Sequence, residues 1–111
     1  MTLARGDLIS VRARGAYTEE PRPALVVQST DAVALRDSVT ICLLTGELIE
    51  ASSFRIRILP DASNGLRKPS DVMIDKVLTV PKSTLGTRAF GKLSAARMAD
   101  VDRALRFWLG L

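Results

Sequence analysis

Arg22 stands between Pro21 and Pro23, just behind Glu19 and Glu20 and just ahead of the apolar run ALVV. A guanidinium stays charged and offers a planar fork that matches two phosphate oxygens. The flanking prolines restrict the backbone that carries it, so little freedom remains to be lost on positioning. Two readings stand side by side: a loop-end arginine hydrogen-bonded to carbonyls, or a cation aimed at an anion. Thr45 ends the run SVTICLLT immediately before Gly46. A hydroxyl there can donate to a phosphate oxygen while glycine lets the backbone pass close to a ligand, or it can simply close a strand. Glu19 and Glu20 could supply a base or orient Arg22, or be two solvated loop carboxylates. Arg55 and Arg57 share one strand face, which suits either a polyanionic backbone or open solvent. Tyr17 is a candidate platform for a stacked base.

Composition removes several other chemistries. The 111 residues contain no histidine, so zinc sites with histidine ligands, Ser-His-Asp triads and paired-histidine ribonuclease sites are excluded within the chain. Acid–base work would fall to carboxylates, hydroxyls, lysine, tyrosine or arginine. The single cysteine, Cys42, lies inside the apolar stretch VTICLL and reads as a buried, inert thiol of a reducing cytoplasm. No apolar run approaches the roughly 18 residues of a membrane span, and MTLARGDLIS lacks the features of a signal peptide. No metal and no cofactor is expected. Net charge is +4 and uneven. Residues 1–54 hold five Lys/Arg against seven Asp/Glu, whereas residues 55–111 hold eleven against five. A basic half suits a polyanionic partner, nucleic acid above all, and equally suits a merely soluble surface.

These residues need elements to hold them. Residues 1–111 read as one domain without repeats or low-complexity tracts. GDLISVRA (6–13) reads as a strand after a Gly-Asp turn, and PALVVQS (23–29) as a strand buried on both faces. STDAVALRDS (29–38) is a polar connection with room for a helical turn, and SVTICLLT (38–45) is a β-branched strand. SFRIRIL (53–59) alternates strictly, with Phe54, Ile56 and Ile58 on one face and Arg55 and Arg57 on the other. PDASNGL (60–66) carries an Asn-Gly turn, and SDVMIDKVLTVP (70–81) reads as a long strand or a bent pair. The period then changes: Ser94 can cap a helix whose Met98, Val101, Leu105 and Trp108 share a face. Asp100 and Asp102 early in it, with Arg103 and Arg106 near its end, suit the helix dipole. Five or so strands followed by one amphipathic helix predict a mainly β fold, a small curved antiparallel barrel sealed by a C-terminal helix.

The motifs RGDLISV, RPALVVQS and a third strand ending in threonine resemble the MazF/PemK toxins, endoribonucleases of bacterial toxin–antitoxin pairs. GLRKPSDVMIDKVLTVP followed by FGKLSAARMADVDRALRFWLGL fits the same pattern, and the resemblance spans nearly the whole chain. The C-terminal third also resembles the CcdB gyrase poisons, although RFWLGL departs from their Phe-Trp-Gly ending by an inserted leucine. The two families share an SH3-like barrel with a C-terminal helix, usually as a homodimer.

The resemblance implies a cytoplasmic toxin, homodimeric and metal-independent, that cuts single-stranded RNA at selected sequences. In that chemistry the ribose 2′-OH attacks the adjacent phosphorus and leaves a 2′,3′-cyclic phosphate and a 5′-OH. The matching family arginine and threonine make Arg22 and Thr45 the catalytic pair, with Glu20 as the third candidate. Glu19, Tyr17, Arg55, Arg57 and Lys76 are the candidate RNA contacts, Lys76 standing where the family commonly has glutamine. Where relatives often carry a proline shortly before the threonine, this chain has Leu43 and Leu44. Phe107 and Trp108 are expected in the core or a dimer interface. A cognate antitoxin would lay an acidic, partly disordered segment over the RNA groove. Two alternatives remain: a CcdB-like gyrase poison without nuclease activity, and a non-catalytic RNA-binding barrel.

Overall fold

The computed structural model describes residues 2–12 and 21–111. Six strands form one antiparallel sheet. They are β1 (Asp7–Val11), β2 (Arg22–Val26), β3 (Ser38–Thr45), β4 (Arg55–Ile58), β5 (Ser70–Pro81) and β6 (Gly91–Lys92), in the order β4-β5-β3-β2-β1-β6. A short helix α1 (Thr30–Val33) joins β2 to β3, and α2 (Ala95–Leu109) follows β6. The strands expected over 23–29 and 38–45 are present, as is the helical turn between them. β6 escapes sequence reading because a strand of two residues has no periodicity to detect.

The alternation of each strand sorts its side chains onto two faces. Leu8, Leu25, Cys42, Leu44, Ile56, Ile58, Val72 and Ile74 face α2, where Val101 and Ala104 complete the cluster. Ile9, Val11, Ala24, Val26, Val39 and Ile41 point the other way and pack with Leu3 and Val33. β2 is therefore buried on both faces, as its unbroken apolar run predicts. α2 starts where expected: Ser94 is its N-cap, and its side chain accepts from the Arg97 N–H at 3.2 Å. An ion pair of 2.7 Å between Arg5 and Asp102 ties the N-terminal segment to the same helix.

The sheet curls because β5 bends. Between the pairs Cys42–Val77 and Leu44–Val72, β3 advances two residues while β5 advances five. The extra residues let β5 stay one strand while its first half pairs with β4 on one side and the end of β3 on the other, and its second half with β3. The curl nearly closes, since Lys92 N–H of β6 donates to the Ser63 carbonyl beyond β4 at 3.0 Å. Gly91 is required at this seam, because a Cβ there would overlap the Asn64 carbonyl. Asn64 itself is buried and satisfied, accepting from the Asp61 and Leu66 N–H groups and donating to the Leu59 carbonyl. The result is the mainly β, helix-sealed fold that the strand count predicts.

Candidate active site

The register of β2 on β3 is set by Ala24–Leu43, Leu25–Cys42 and Val26–Ile41. Continued two positions outward, it brings Arg22, the first residue of β2, across from Thr45, the last of β3. Thr45 pairs in turn with Asp71 of β5, and Asp71 with Arg57 of β4. Four polar residues far apart in the chain thus form one row across four strands at one end of the sheet. Directly opposed residues present their side chains to the same face, here the face turned away from the α2 cluster that holds Leu44, Val72, Ile56 and Ile58.

The two ends of this row are chemically different. At one end Arg22 is half-buried, and its Nη2 donates only a long contact of 3.5 Å to the Leu44 carbonyl, one residue before Thr45. Among the described residues no carboxylate pairs with it. Thr45 Oγ1 accepts the Glu47 N–H at 3.1 Å, so an acceptor site of the hydroxyl is used while its proton remains to be donated. Gly46 leaves room for Lys68: a Cβ on Gly46 would lie 3.0 Å from Lys68 Nζ and 3.1 Å from its Cε. Two cations therefore flank the Thr45–Gly46 corner.

At the other end the charges are spent. Asp71 is 1 % exposed; its Oδ1 accepts Arg57 Nε at 2.6 Å and its Oδ2 accepts the Ile49 N–H at 3.0 Å. Arg57 Nη2 also donates to the Ile49 carbonyl at 3.2 Å, so the pair clamps the connection that follows Thr45. Arg55 makes a bidentate pair with Asp75, Nε to Oδ1 at 2.7 Å and Nη2 to Oδ2 at 3.1 Å. The hydrogen bond from Arg55, outweighing desolvation, holds the Asp75 carboxyl below the ordinary carboxylate range. Strict alternation suggests an open, solvated face for both, yet β5 supplies a carboxylate to each: Asp71 directly opposite Arg57, and Asp75, two residues beyond the Met73 that faces Arg55.

The remaining candidates scatter. Lys76 is exposed in the bend of β5, next to Asp75. Tyr17, Glu19 and Glu20 lie outside the described residues. Cys42 is fully buried and burial pushes its thiol up to about 12, which leaves it inert as expected. Phe107 and Trp108 are 63 % and 46 % exposed, so they do not join this chain's core. Trp108 stacks against Phe54, with ring centroids 5.5 Å apart, because α2 meets the core through Val101 and Ala104 and its last turn lies beyond them. A groove of about 490 Å³ runs between α2 and the residues around β4, lined in part by Ser52, Ser53, Arg55, Arg57, Arg97 and Arg103. Among the described residues, no three Cys, Asp or Glu side chains converge in a way that could hold a metal ion.

Sequence reasoning missed two residues of this end of the sheet. Asp71 could be read only as one position of a strand, although a carboxylate within an apolar run is a signal that something must pair it. Lys68 lies in GLRKP, whose basic pair blends into a basic half of the chain. Chemically, the corner offers a guanidinium, a hydroxyl proton and an ammonium within reach of one backbone turn. That set suits an anionic, oxygen-rich ligand such as a phosphodiester.

Known proteins resemble the chain along nearly its whole length. Residues 4–109 match the family described as PemK-like, MazF-like toxin of type II toxin–antitoxin systems. A protein of Mycolicibacterium smegmatis described as a probable endoribonuclease MazF is 45% identical over 111 residues, covering 98% of this chain and 98% of the relative. The solved structure of the Mycobacterium tuberculosis toxin MazF-mt6 superposes with a TM-score of 0.77 at 24% identity, covering 95% of this chain and 97% of the other. A mycobacterial endoribonuclease solved in complex with its cognate antitoxin gives 0.76 at 22% identity, covering 98% and 96%. At that identity the two structures speak for the fold.

Proposed function

The chain belongs to the PemK-like, MazF-like toxin family of type II toxin–antitoxin systems, and on that premise we propose that it is an endoribonuclease cleaving single-stranded RNA without a metal ion or cofactor. The observation that carries this reading is the placement of Arg22 at the Thr45 end of β3, its guanidinium otherwise uncommitted among the described residues.

The ribose 2′-oxygen attacks the adjacent phosphorus, its proton passes to a base, and the bond from phosphorus to the 5′ oxygen breaks with protonation of that oxygen. The products are a 2′,3′-cyclic phosphate and a 5′-OH. Negative charge grows on the non-bridging oxygens, and Arg22 meets it with two parallel N–H donors held ready by Pro21 and Pro23. Thr45 donates its free hydroxyl proton to the same phosphate. Glu20 is the proposed base, with Glu19 and Tyr17 as RNA contacts from the same connection. Arg55, Arg57 and Lys76 touch the strand further out, the two arginines through whatever donors their carboxylates leave free.

In the cell we propose a cytoplasmic homodimer restrained by a cognate antitoxin. The relative solved with its antitoxin supports such a partner. Apolar area for assembly is available in Phe107, Leu109 and Leu111, all exposed at the end of α2.

The test is incubation of purified protein with a long single-stranded RNA in EDTA, beside its Arg22→Ala variant, followed by mapping of the ends. Discrete cuts with 5′-OH ends that disappear in the variant are expected. Absence of cleavage on several unrelated RNAs would overturn the reading and direct the next assay to DNA supercoiling, the activity a CcdB-like poison would block.

A further inference from the structure

We propose that Lys68 is a second phosphate-binding cation of this site, a role that rests on the ribonuclease reading and adds a residue to it. The ligand is a backbone phosphate of the bound RNA strand at the Thr45–Gly46 corner.

Three observations converge on this lysine. First, its ammonium folds back over the chain directly after Thr45, a position open to it because residue 46 is glycine: any Cβ there would press on Nζ and Cε at 3.0 and 3.1 Å. Second, its backbone is held. Pro69 restricts the residue before it to extended conformations, and the buried Ser70 donates from Oγ to the Lys68 carbonyl at 3.2 Å. A lysine on a free loop would spread its side chain through solvent, whereas this one starts from a fixed base. Third, its charge is unspent. β4 supplies two arginines to this side of the sheet, and each has a carboxylate on β5. Lys68 pairs with no carboxylate among the described residues, although Glu47 follows Gly46 directly. An ammonium held beside a free hydroxyl proton and across β3 from Arg22 makes a corner that attracts an anion from two sides.

A lysine in this position acts as a point charge, not as a geometric fork. It would contribute to holding the RNA backbone and little to the bond-breaking step. That separates it from Arg22 experimentally: loss of Lys68 should appear in KM and in salt dependence, loss of Arg22 in kcat.

The experiment compares the wild type with Lys68→Met, Lys68→Arg and Gly46→Ala. Two readouts are used: cleavage of an oligoribonucleotide bearing the mapped cut, and binding of the same oligonucleotide with 2′-deoxyribose at that cut, across a range of salt. Lys68→Met is expected to raise KM and weaken binding by about tenfold. It should also lower the slope of log affinity against log salt by about 0.7, the loss of one phosphate contact to a single strand. Lys68→Arg should restore both. Gly46→Ala displaces the flexible ammonium and should mimic Lys68→Met, yet add little on top of it in the double variant. A Lys68→Met protein with unchanged salt slope, or an Arg variant that fails to rescue a slope that has fallen, would overturn the inference. Arg22→Ala serves as the control for the underlying reading. If the wild type cuts and Arg22→Ala does not, while Lys68→Met binds normally, only the Lys68 role fails. If nothing is cut, the nuclease reading fails, and the slope on a mixed-sequence single-stranded oligonucleotide still decides whether Lys68 touches phosphate.

Discussion

Arg22 and Arg57 sit at opposite ends of one cross-strand row and meet opposite fates. Arg57 is locked to the buried carboxylate of Asp71 and to the Ile49 carbonyl. Arg22 reaches only the Leu44 carbonyl, at 3.5 Å. Both are arginines at strand positions beside apolar runs, and although prolines flank only Arg22, neither sequence context says which charge is neutralised. What separates them is the neighbouring strand: β5 brings Asp71 to the Arg57 end, while the Arg22 end faces a hydroxyl and a glycine. A charge already neutralised at hydrogen-bond distance holds the fold together, and a charge left open at a rigid strand end is available to a ligand.

The comparison can be broken most decisively at Arg22. Replacing it with alanine should lower the cleavage rate by about a hundredfold to a thousandfold with almost no change in thermal melting, since no buried partner is orphaned. Equal losses in melting temperature and rate would erase the distinction between the two ends. Thr45→Val, which keeps the shape and removes the hydroxyl, should lower the rate by about tenfold to a hundredfold, read in the same assay under single-turnover conditions.

Arg57→Ala should show the reverse profile. It strands Asp71 in a site where a lone carboxylate is costly, so the melting temperature falls. The rate measured well below the melt should fall far less than in Arg22→Ala. The smallest effect concerns the second pair. The Asp75 carboxyl is held below its ordinary range by Arg55, so its contribution to stability is present above that range. It is lost as pH falls below about 4, through the depressed folded value. Denaturant titrations on the acid side should therefore show a shallower decline in Arg55→Met than in the wild type. Parallel curves would mean that the pair contributes nothing to acid stability.

Much of the fold was legible because its signals are local. The change from period two to period 3.6 after residue 94, the cap at Ser94 and the unbroken apolar run of β2 all reappear in the structure. The seam at Gly91 and the bend of β5 were not legible, since each depends on what another strand places opposite. Trp108 shows the same boundary: its spacing on the helix predicts a buried face, yet the core ends before its turn and it stays 46 % exposed beside Phe54. For the site, Arg22 and Thr45 stood out through prolines, glycine and strand ends. Asp71 and Lys68 did not, because the features that matter in them are partners 14 or more residues away.

Residue order settles periodicity, capping, the lack of histidine and the resemblance that points to a toxin of RNA-cleaving type. Those properties reside in neighbours along the chain, or in composition, and need no folding to be read. Which arginine is neutralised, which cation overhangs Gly46 and which four residues share a row were decided only when the strands paired. Pairing register sets the distance between charges, and over these few ångströms distance is what divides a structural ion pair from an open binding site.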